Sequence, residues 1–434
     1  MADNADIRAD DFKAEPYWWD RTPRPNLGEP ELPSEVDVAI IGSGYTGLCA
    51  AIQVARGGRS TVVLDAEQAG WGCSSRNGGQ ISTSIKPDYE ALARKHGAET
   101  AFNIVKEGHR SLAFMKDFVA EEAIDCDFIV PGRFHAAHTP GEYEALAREI
   151  EAAPKGLEEP AHVVPRAEQR RELGTDVYHG GVVMEAHASL DPGRYHQGLL
   201  DRALAAGATV IPHCKVTGIT GEADAFELAT AKGTVRARDV VVATNGYTSA
   251  LTPWLRRRVI PIGSYIIATE PLEPGLMDKL FPTQRVVSDT RKVVYYYRPS
   301  PDRTRILFGG RVTSGETSPL HSGGLLRDDL IGIFPELKKT RISHSWMGFV
   351  AYTFDELSHI GKHEGIHYAM GYCGSGVGMA SYLGTRVGQQ VLGLEEGRTA
   401  LDGLAFQTRP LYTGKPWFLP LTVAYYRWRD GAAA

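Results

Sequence analysis

One hexapeptide limits the possible folds more than any other part of the chain. Gly42-Ser43-Gly44-Tyr45-Thr46-Gly47 lies between an apolar run at 36–41 and a helical pattern at 47–56. In that setting the first glycine permits a tight turn, the second lets backbone approach a pyrophosphate, and the third lets helix pack on strand. The helix N-terminus adds free N–H groups and the positive end of a dipole, both suited to phosphate. A second strand pattern at 60–65 ends on Asp65, eighteen residues beyond Gly47, with Ala66 next. A carboxylate there accepts hydrogen bonds from ribose hydroxyls, which favours FAD or NAD over NADP. Strand, glycine turn, helix and acid together predict a βαβ dinucleotide-binding unit.

With 434 residues the chain is too long for one simple core, so two domains are expected. Helical patterns recur at 89–120, 141–153, 194–206, 325–334 and 377–392. Strand patterns fall at 209–211, 215–220, 225–230, 233–237, 240–243, 265–269, 293–298, 305–308 and 367–370. This order predicts an α/β fold: a Rossmann-like nucleotide domain split along the sequence, with an α+β substrate domain inserted on an antiparallel sheet. The expected division is an arm at 1–34, a nucleotide domain of 35–110 with 180–255 and 345–434, and a substrate domain of 111–179 with 256–344. Tyr17, Trp18 and Trp19, followed by four prolines before residue 34, read as an extended arm pinned by its aromatics.

Two further segments choose FAD. Residues 70–80, GWGCSSRNGGQ, directly follow the second strand. Small and polar residues at that density let backbone lie against a flat ring. Gly371-Tyr372-Cys373-Gly374-Ser375-Gly376-Val377-Gly378 again runs from strand to helix. That second helix N-terminus suits negative charge on a reduced flavin.

The hexapeptide, the 74–80 loop, Ala243-Thr244-Asn245-Gly246 and the terminal GSGVG stand in an order that resembles the FAD-dependent D-amino-acid-oxidase-like (DAO) superfamily. The Tyr17-Trp18-Trp19 arm, residues 73–80 and Leu307-Phe308-Gly309-Gly310 are more narrowly similar to gamma-glutamylputrescine oxidases, within a class that includes glycine and sarcosine oxidases. The resemblance implies that Gly42, Ser43, Gly44, Tyr45, Thr46, Gly47, Asp65 and Ala66 hold the ADP half of FAD, with Val216 meeting the adenine through its backbone. It implies that Gly72, Ser74, Ser75, Arg76, Asn77, Gly78, Gly79 and Gln80 line the flavin, with Thr244 and Gly246 beside it. Gly374, Ser375, Gly376, Val377 and Gly378 would close over the ring. Some relatives tether flavin through a cysteine near 344–352 or a histidine after the second strand; both are absent here, so non-covalent FAD is expected.

The chemistry that follows is oxidation of a C–N bond in a small secondary amine or N-substituted amino acid, with oxygen reduced to hydrogen peroxide. Gamma-glutamylputrescine-like amines come first and sarcosine- or iminodiacetate-like ones second. Hydride transfer from a neutral amine needs no obligatory base, and none is assigned. Tyr265, Tyr296 and Trp346 are candidates for the substrate wall, Arg298 and Arg311 for gripping a carboxylate. Lys86, just beyond the flavin loop, is a candidate for oxygen activation. The alternatives are a dehydrogenase that passes electrons to a quinone or protein, and a non-catalytic FAD-binding subunit.

A formal net charge of -6 without basic blocks argues against nucleic acid as partner. No apolar run approaches membrane-helix length, and the histidines at 344, 359, 363 and 367 lack metal-ligand spacing. An N-terminus without a leader pattern and five scattered cysteines lead to a cytoplasmic expectation. Oligomeric state is left open.

Overall fold

A computed structural model describes residues 7–311, 313 and 316–430, and in it the chain builds two large sheets. The outer ends of the expected arm and last segment, 1–6 and 431–434, lie outside the described residues.

The first sheet grows from the strand before the hexapeptide. Glu35–Ile41 runs parallel to Thr61–Leu64 on one side and to Gly233–Val242 on the other. Thr209–Ile211 extends the sheet beyond Thr61–Leu64, and Ile366–Met370 pairs in parallel with Val240, Val241 and Val242. Val38, Ala39, Ile40, Val62, Val63, Val240 and Val241 are fully buried, as expected where both faces are covered. Helices Tyr45–Arg56 and Gly376–Val391 each follow one of these parallel strands, so both begin at the same edge of the sheet. They pack almost backbone to backbone. A Cβ at Gly384 would stand 2.6 Å from the Thr46 carbonyl oxygen, and one at Gly388 would stand 2.9 Å from that of Ala50.

The strands read separately at 233–237 and 240–243 are one, Gly233–Val242. Its first half pairs with Phe226–Thr230 and its second with Ile366–Met370; the polar pair Arg238-Asp239 marks the change of partner. The long helix expected at 89–120 is two, Tyr89–His96 and Ala98–Glu121, parted at Gly97, whose φ is +83°.

The second sheet has nine strands, in the order Arg8–Lys13, Ile342–Tyr352, Ile260–Thr269, Ile306–Gly310, Tyr296–Pro299, Val286–Asp289, Arg133–Ala136, Gly180–Met184, Ala161–Pro165. All neighbours are antiparallel except the first pair and the pair Val286–Asp289 with Arg133–Ala136. Phe134, Val183, Tyr265, Ile267, Val287, Tyr297 and Phe308 bury one face in a core shared with helices Pro274–Leu280 and Pro319–Ile333. Three placements differ from the expected division. Gly180–Met184 and Ile342–Tyr352 lie in this sheet and not in the nucleotide part, and the arm contributes its edge strand. A short apolar run shows that a strand forms but not which sheet receives it.

Candidate active site

The hexapeptide forms a turn in which backbone packs against backbone. Gly42 has φ +104°, and a Cβ there would lie 3.0 Å from the Ala243 carbonyl oxygen. At Gly47 a Cβ would lie 1.9 Å from the carbonyl oxygen of Gly42, so only glycine brings this helix so close. The Ser43 N–H and hydroxyl both donate to Asp65 Oδ2, at 2.8 and 2.6 Å. The Tyr45 N–H, one of the donors a helix start leaves free, is taken by Ser74 Oγ at 2.9 Å. The chain before Val216 is tied to the same place, with the Cys214 N–H donating to the Asp65 carbonyl at 2.6 Å, while Ala66 is exposed beside it.

Sequence reasoning missed His196, on helix Pro192–Ala205. Its Nε2 lies 2.8 Å from the Ser43 carbonyl oxygen, so that nitrogen carries the hydrogen and donates. Burial, aided by the Arg24 cation, pushes its pKa down to about 3.

The 70–80 loop is gripped from outside. Asn77 Nδ2 donates to the Cys73 carbonyl at 3.0 Å, and its Oδ1 accepts from the Gly79 N–H at 2.8 Å. Three indoles add their N–H groups: Trp18 to the Asn77 carbonyl at 2.8 Å, Trp19 to Ser75 Oγ at 2.9 Å, and Trp346 to the Arg76 carbonyl at 2.7 Å. The Arg76 guanidinium lies 4.5 Å from the Trp19 ring and 4.6 Å from the Trp71 ring. Gly72 packs on Tyr247, and Gly246 on Phe349. Thr244 Oγ1 is 2.8 Å from Thr248 Oγ1.

Most of the expected substrate-wall residues serve this support. Trp346 is fully buried among Tyr17, Trp18 and Ile266. Arg298 donates to the carbonyls of Leu190, Pro299 and Gly79 at 2.9, 3.1 and 3.2 Å, which leaves no fork for a carboxylate. Arg311 binds the Gly263 carbonyl at 2.7 Å and Glu316. The Tyr265 hydroxyl donates to Glu316 Oε2 at 2.8 Å while its ring joins the sheet core. Strand alternation turns only Tyr265 into the core; Arg298 and Trp346 share the face of Tyr296 and are held there by protein groups.

Tyr296 lies on the face opposite Tyr265. Its ring carbon Cε2 lies 3.2 Å from where a Cβ at Gly78 would be, and its hydroxyl is 2.7 Å from Ser264 Oγ. The same face of the sheet carries Arg133 and His135, alternating with the core residues Phe134 and Ala136. His135 Nδ1 is 2.9 Å from Ser288 Oγ, and Arg133 Nη2 donates to Gln80 Oε1 at 3.4 Å. Gln80 Nε2 donates to the Tyr297 carbonyl at 3.3 Å, joining loop to sheet.

The second glycine cluster closes the far side. Gly371, Cys373 and Gly374 all have positive φ, and Ser375 Oγ donates to the Ser84 carbonyl at 2.7 Å. A Cβ at Gly374 would lie 3.8 Å from Lys86 Cε and 3.9 Å from the Tyr352 hydroxyl, while Val377 is buried and Gly378 faces Ser111. Arg133, His135, Tyr296 and Tyr352 are half-buried and line a cleft that Lys86 borders with its surface exposed. Burial lowers the Lys86 pKa; it holds His135 near 3, with Arg133 adding to the effect, and Arg133 near 10. Arg133 and His135 escaped the sequence reading, although the polar–apolar alternation of Arg133-Phe134-His135-Ala136 carried the signal.

These residues suit FAD: bare glycine backbone at two helix starts on one sheet edge, a carboxylate at the neighbouring strand end, and a cleft beyond. Among the described residues no helix is long and apolar enough to cross a membrane. The family described as FAD dependent oxidoreductase (DAO) matches residues 37–390. A protein named Probable oxidoreductase OrdL, from Rhizobium meliloti, is 31% identical over 421 residues, covering 95% of this chain and 97% of its own. Gamma-glutamylputrescine oxidoreductase of Escherichia coli is 30% identical over 399 residues, covering 91% and 92%. Glycine oxidase from Geobacillus kaustophilus has a similar structure, with TM-score 0.72 at 21% identity over 87% of this chain and 99% of that one. On its glycine turns, its two-sheet fold and these matches, the chain belongs to the DAO family of FAD-dependent oxidoreductases.

Proposed function

We propose that this protein is an oxidase of the C–N bond in small secondary amines or N-substituted amino acids. Gamma-glutamylputrescine-like amines come first and sarcosine- or iminodiacetate-like ones second. The observation that carries the reading is the cleft between the 70–80 loop and the nine-stranded sheet, where Tyr296 stands over Gly78. In this reading Gly42 to Gly47, Asp65, Ala66 and Val216 hold the ADP half of FAD. The 72–80 loop, Thr244, Gly246 and the 374–378 turn hold the ring system.

When bound, FAD accepts a hydride equivalent from the carbon next to the amine nitrogen, and water hydrolyses the iminium that is left. The chain's own task is to position a neutral amine. Tyr296 offers an aromatic face against which the amine can lie, and burial keeps His135 uncharged. FAD is held without a covalent bond: Cys73, in the loop itself, donates its thiol to the Phe349 carbonyl at 2.8 Å, and burial raises its pKa to about 11.

The test is oxygen uptake by the purified holoprotein with gamma-glutamylputrescine, sarcosine, iminodiacetate, glycine and several D-amino acids. Uptake with stoichiometric peroxide on one of the first three supports the proposal. Reduction of an artificial dye without oxygen uptake would replace oxidase by dehydrogenase, and no turnover with any acceptor would refute the amine reading.

A further inference from the structure

Helix Leu419–Arg429 buries one apolar face and exposes another. Leu419 and Val423 point inward and are buried. At the helix start the Phe418 ring lies 6.0 Å from the Tyr412 ring and 6.5 Å from the Phe354 ring. At its end Asp430 Oδ2 accepts the Val293 N–H at 2.9 Å. The outward face carries Trp417, Leu421, Tyr425 and Trp428, whose spacing of four, four and three puts them on one side. They are 65%, 77%, 54% and 77% exposed, where a surface helix ordinarily turns polar side chains to water. Cations frame this stripe. From 409 to 429 the chain carries Arg409, Lys415, Arg427 and Arg429 and no acid, in a protein whose formal net charge is -6. Arg256 packs on Gly414, and the exposed Arg257 accepts the Thr408 hydroxyl at its carbonyl. At the far end Lys292, beside Val293, is exposed, while the Asp430 carboxylate is turned to the Val293 N–H.

We propose that this helix docks the protein on a lipid surface that bears anionic headgroups, lying flat with Trp417, Leu421, Tyr425 and Trp428 toward the acyl chains. With 11 residues the helix is about 16 Å long, so it rests on a bilayer and does not cross it. Indole and phenol rings suit that boundary, because the ring is apolar and its N–H or O–H stays with water and headgroups. The flanking cations add attraction to an anionic leaflet. A second copy of the chain is a poorer occupant. At about 150–250 Å² for a whole aromatic side chain, the stripe offers roughly 500 Å², enough to mark a binding surface but below the ~800 Å² per partner of a stable protein interface. Pairing two stripes would also bring Lys415 and Arg429 of one copy toward the cations of the other. The proposal does not depend on which amine the cleft accepts.

The experiment sediments holoprotein with vesicles of phosphatidylcholine alone and of phosphatidylcholine with an equal part of phosphatidylglycerol. It compares wild type, the double variant Leu421→Ser with Trp428→Ser, and the double variant Lys415→Glu with Arg429→Glu. FAD content serves as the check that each protein is folded. Wild type is expected to bind the mixed vesicles at least about tenfold more tightly than the neutral ones. Each double variant should bind the mixed vesicles about tenfold or more weakly than wild type. No binding of wild type to the mixed vesicles would overturn the proposal. So would binding that the serine variant leaves unchanged, which would make the attraction one of charge alone. A wild-type dimer in solution that the serine variant turns into a monomer would give the face to a second copy and overturn it as well.

Discussion

At the glycine turn the polar groups answer one another within the protein. Ser43 is bound to Asp65 and His196, Tyr45 to Ser74, and Ser75 to Gly70 and Trp19. Across the cleft, Arg133 Nε on the nine-stranded sheet, and His187 Nδ1 and Ser189 Oγ on the segment that follows Gly180–Met184, have no hydrogen-bond partner. The first region has its polar side chains tied to one another by hydrogen bonds, which in the proposed reading lowers the ordering cost of binding FAD. The second keeps unspent hydrogen-bonding capacity, as a surface that selects among substrates must. In the proposed reading cofactor and substrate recognition are divided between the two sheets, and substitutions on the two sides should fail differently.

The sharpest contrast is at Gly47. Gly47→Ala forces a methyl onto the Gly42 carbonyl, and FAD content is expected to fall to about a tenth or less, measured by absorbance after purification. Full occupancy would show that the turn yields more than its contacts imply. Next is the arm. Trp18 is fully buried and donates to the Asn77 carbonyl, so Trp18→Ala should cost about 3–5 kcal/mol in denaturant unfolding and loosen FAD binding together with it.

A smaller effect is read by pH. His196 is held near 3 in the fold, whereas an unfolded histidine titrates near 6.5. As pH falls below about 6.5 the unfolded chain takes up the proton first, so the stability this histidine gives is present above that pH and lost below it. At pH 5 the loss is about 2 kcal/mol, and His196→Gln should remove it from the difference between pH 7 and pH 5. An unchanged pH dependence in the variant would exclude the role. The mildest expectation concerns Lys86, whose pKa burial lowers. If its cation helps oxygen accept electrons, flavin reoxidation slows as pH rises through that lowered pKa. Lys86→Met should then be about tenfold slower at neutral pH and lose the dependence; equal rates would remove Lys86 from the chemistry.

The same division explains what could be read in advance. The glycine turn, Asp65 and the 70–80 loop were legible because close backbone approach demands particular residues at fixed spacing. Gly180–Met184 and Ile342–Tyr352 do not read as strands, and their sheet is set by partners distant in the chain, Arg133–Ala136 for the first and Ile260–Thr269 for the second. Tyr265 is placed in the core by its register, whereas Arg298 and Trp346 share the face of Tyr296 and are taken up there by backbone carbonyls, which no sequence pattern announces. Arg133 stands on a strand, Arg133–Ala136, that the sequence reading does not include.

The central claim is that an amine bound in this cleft delivers its electrons to FAD. An anaerobic titration of the holoprotein with gamma-glutamylputrescine, and then with sarcosine and iminodiacetate, tests it most directly. The expected result is bleaching of the oxidised-flavin band by one of them, reversed on admitting air. A flavin that every amine leaves oxidised, or a purified protein that takes up no FAD, would contradict the account.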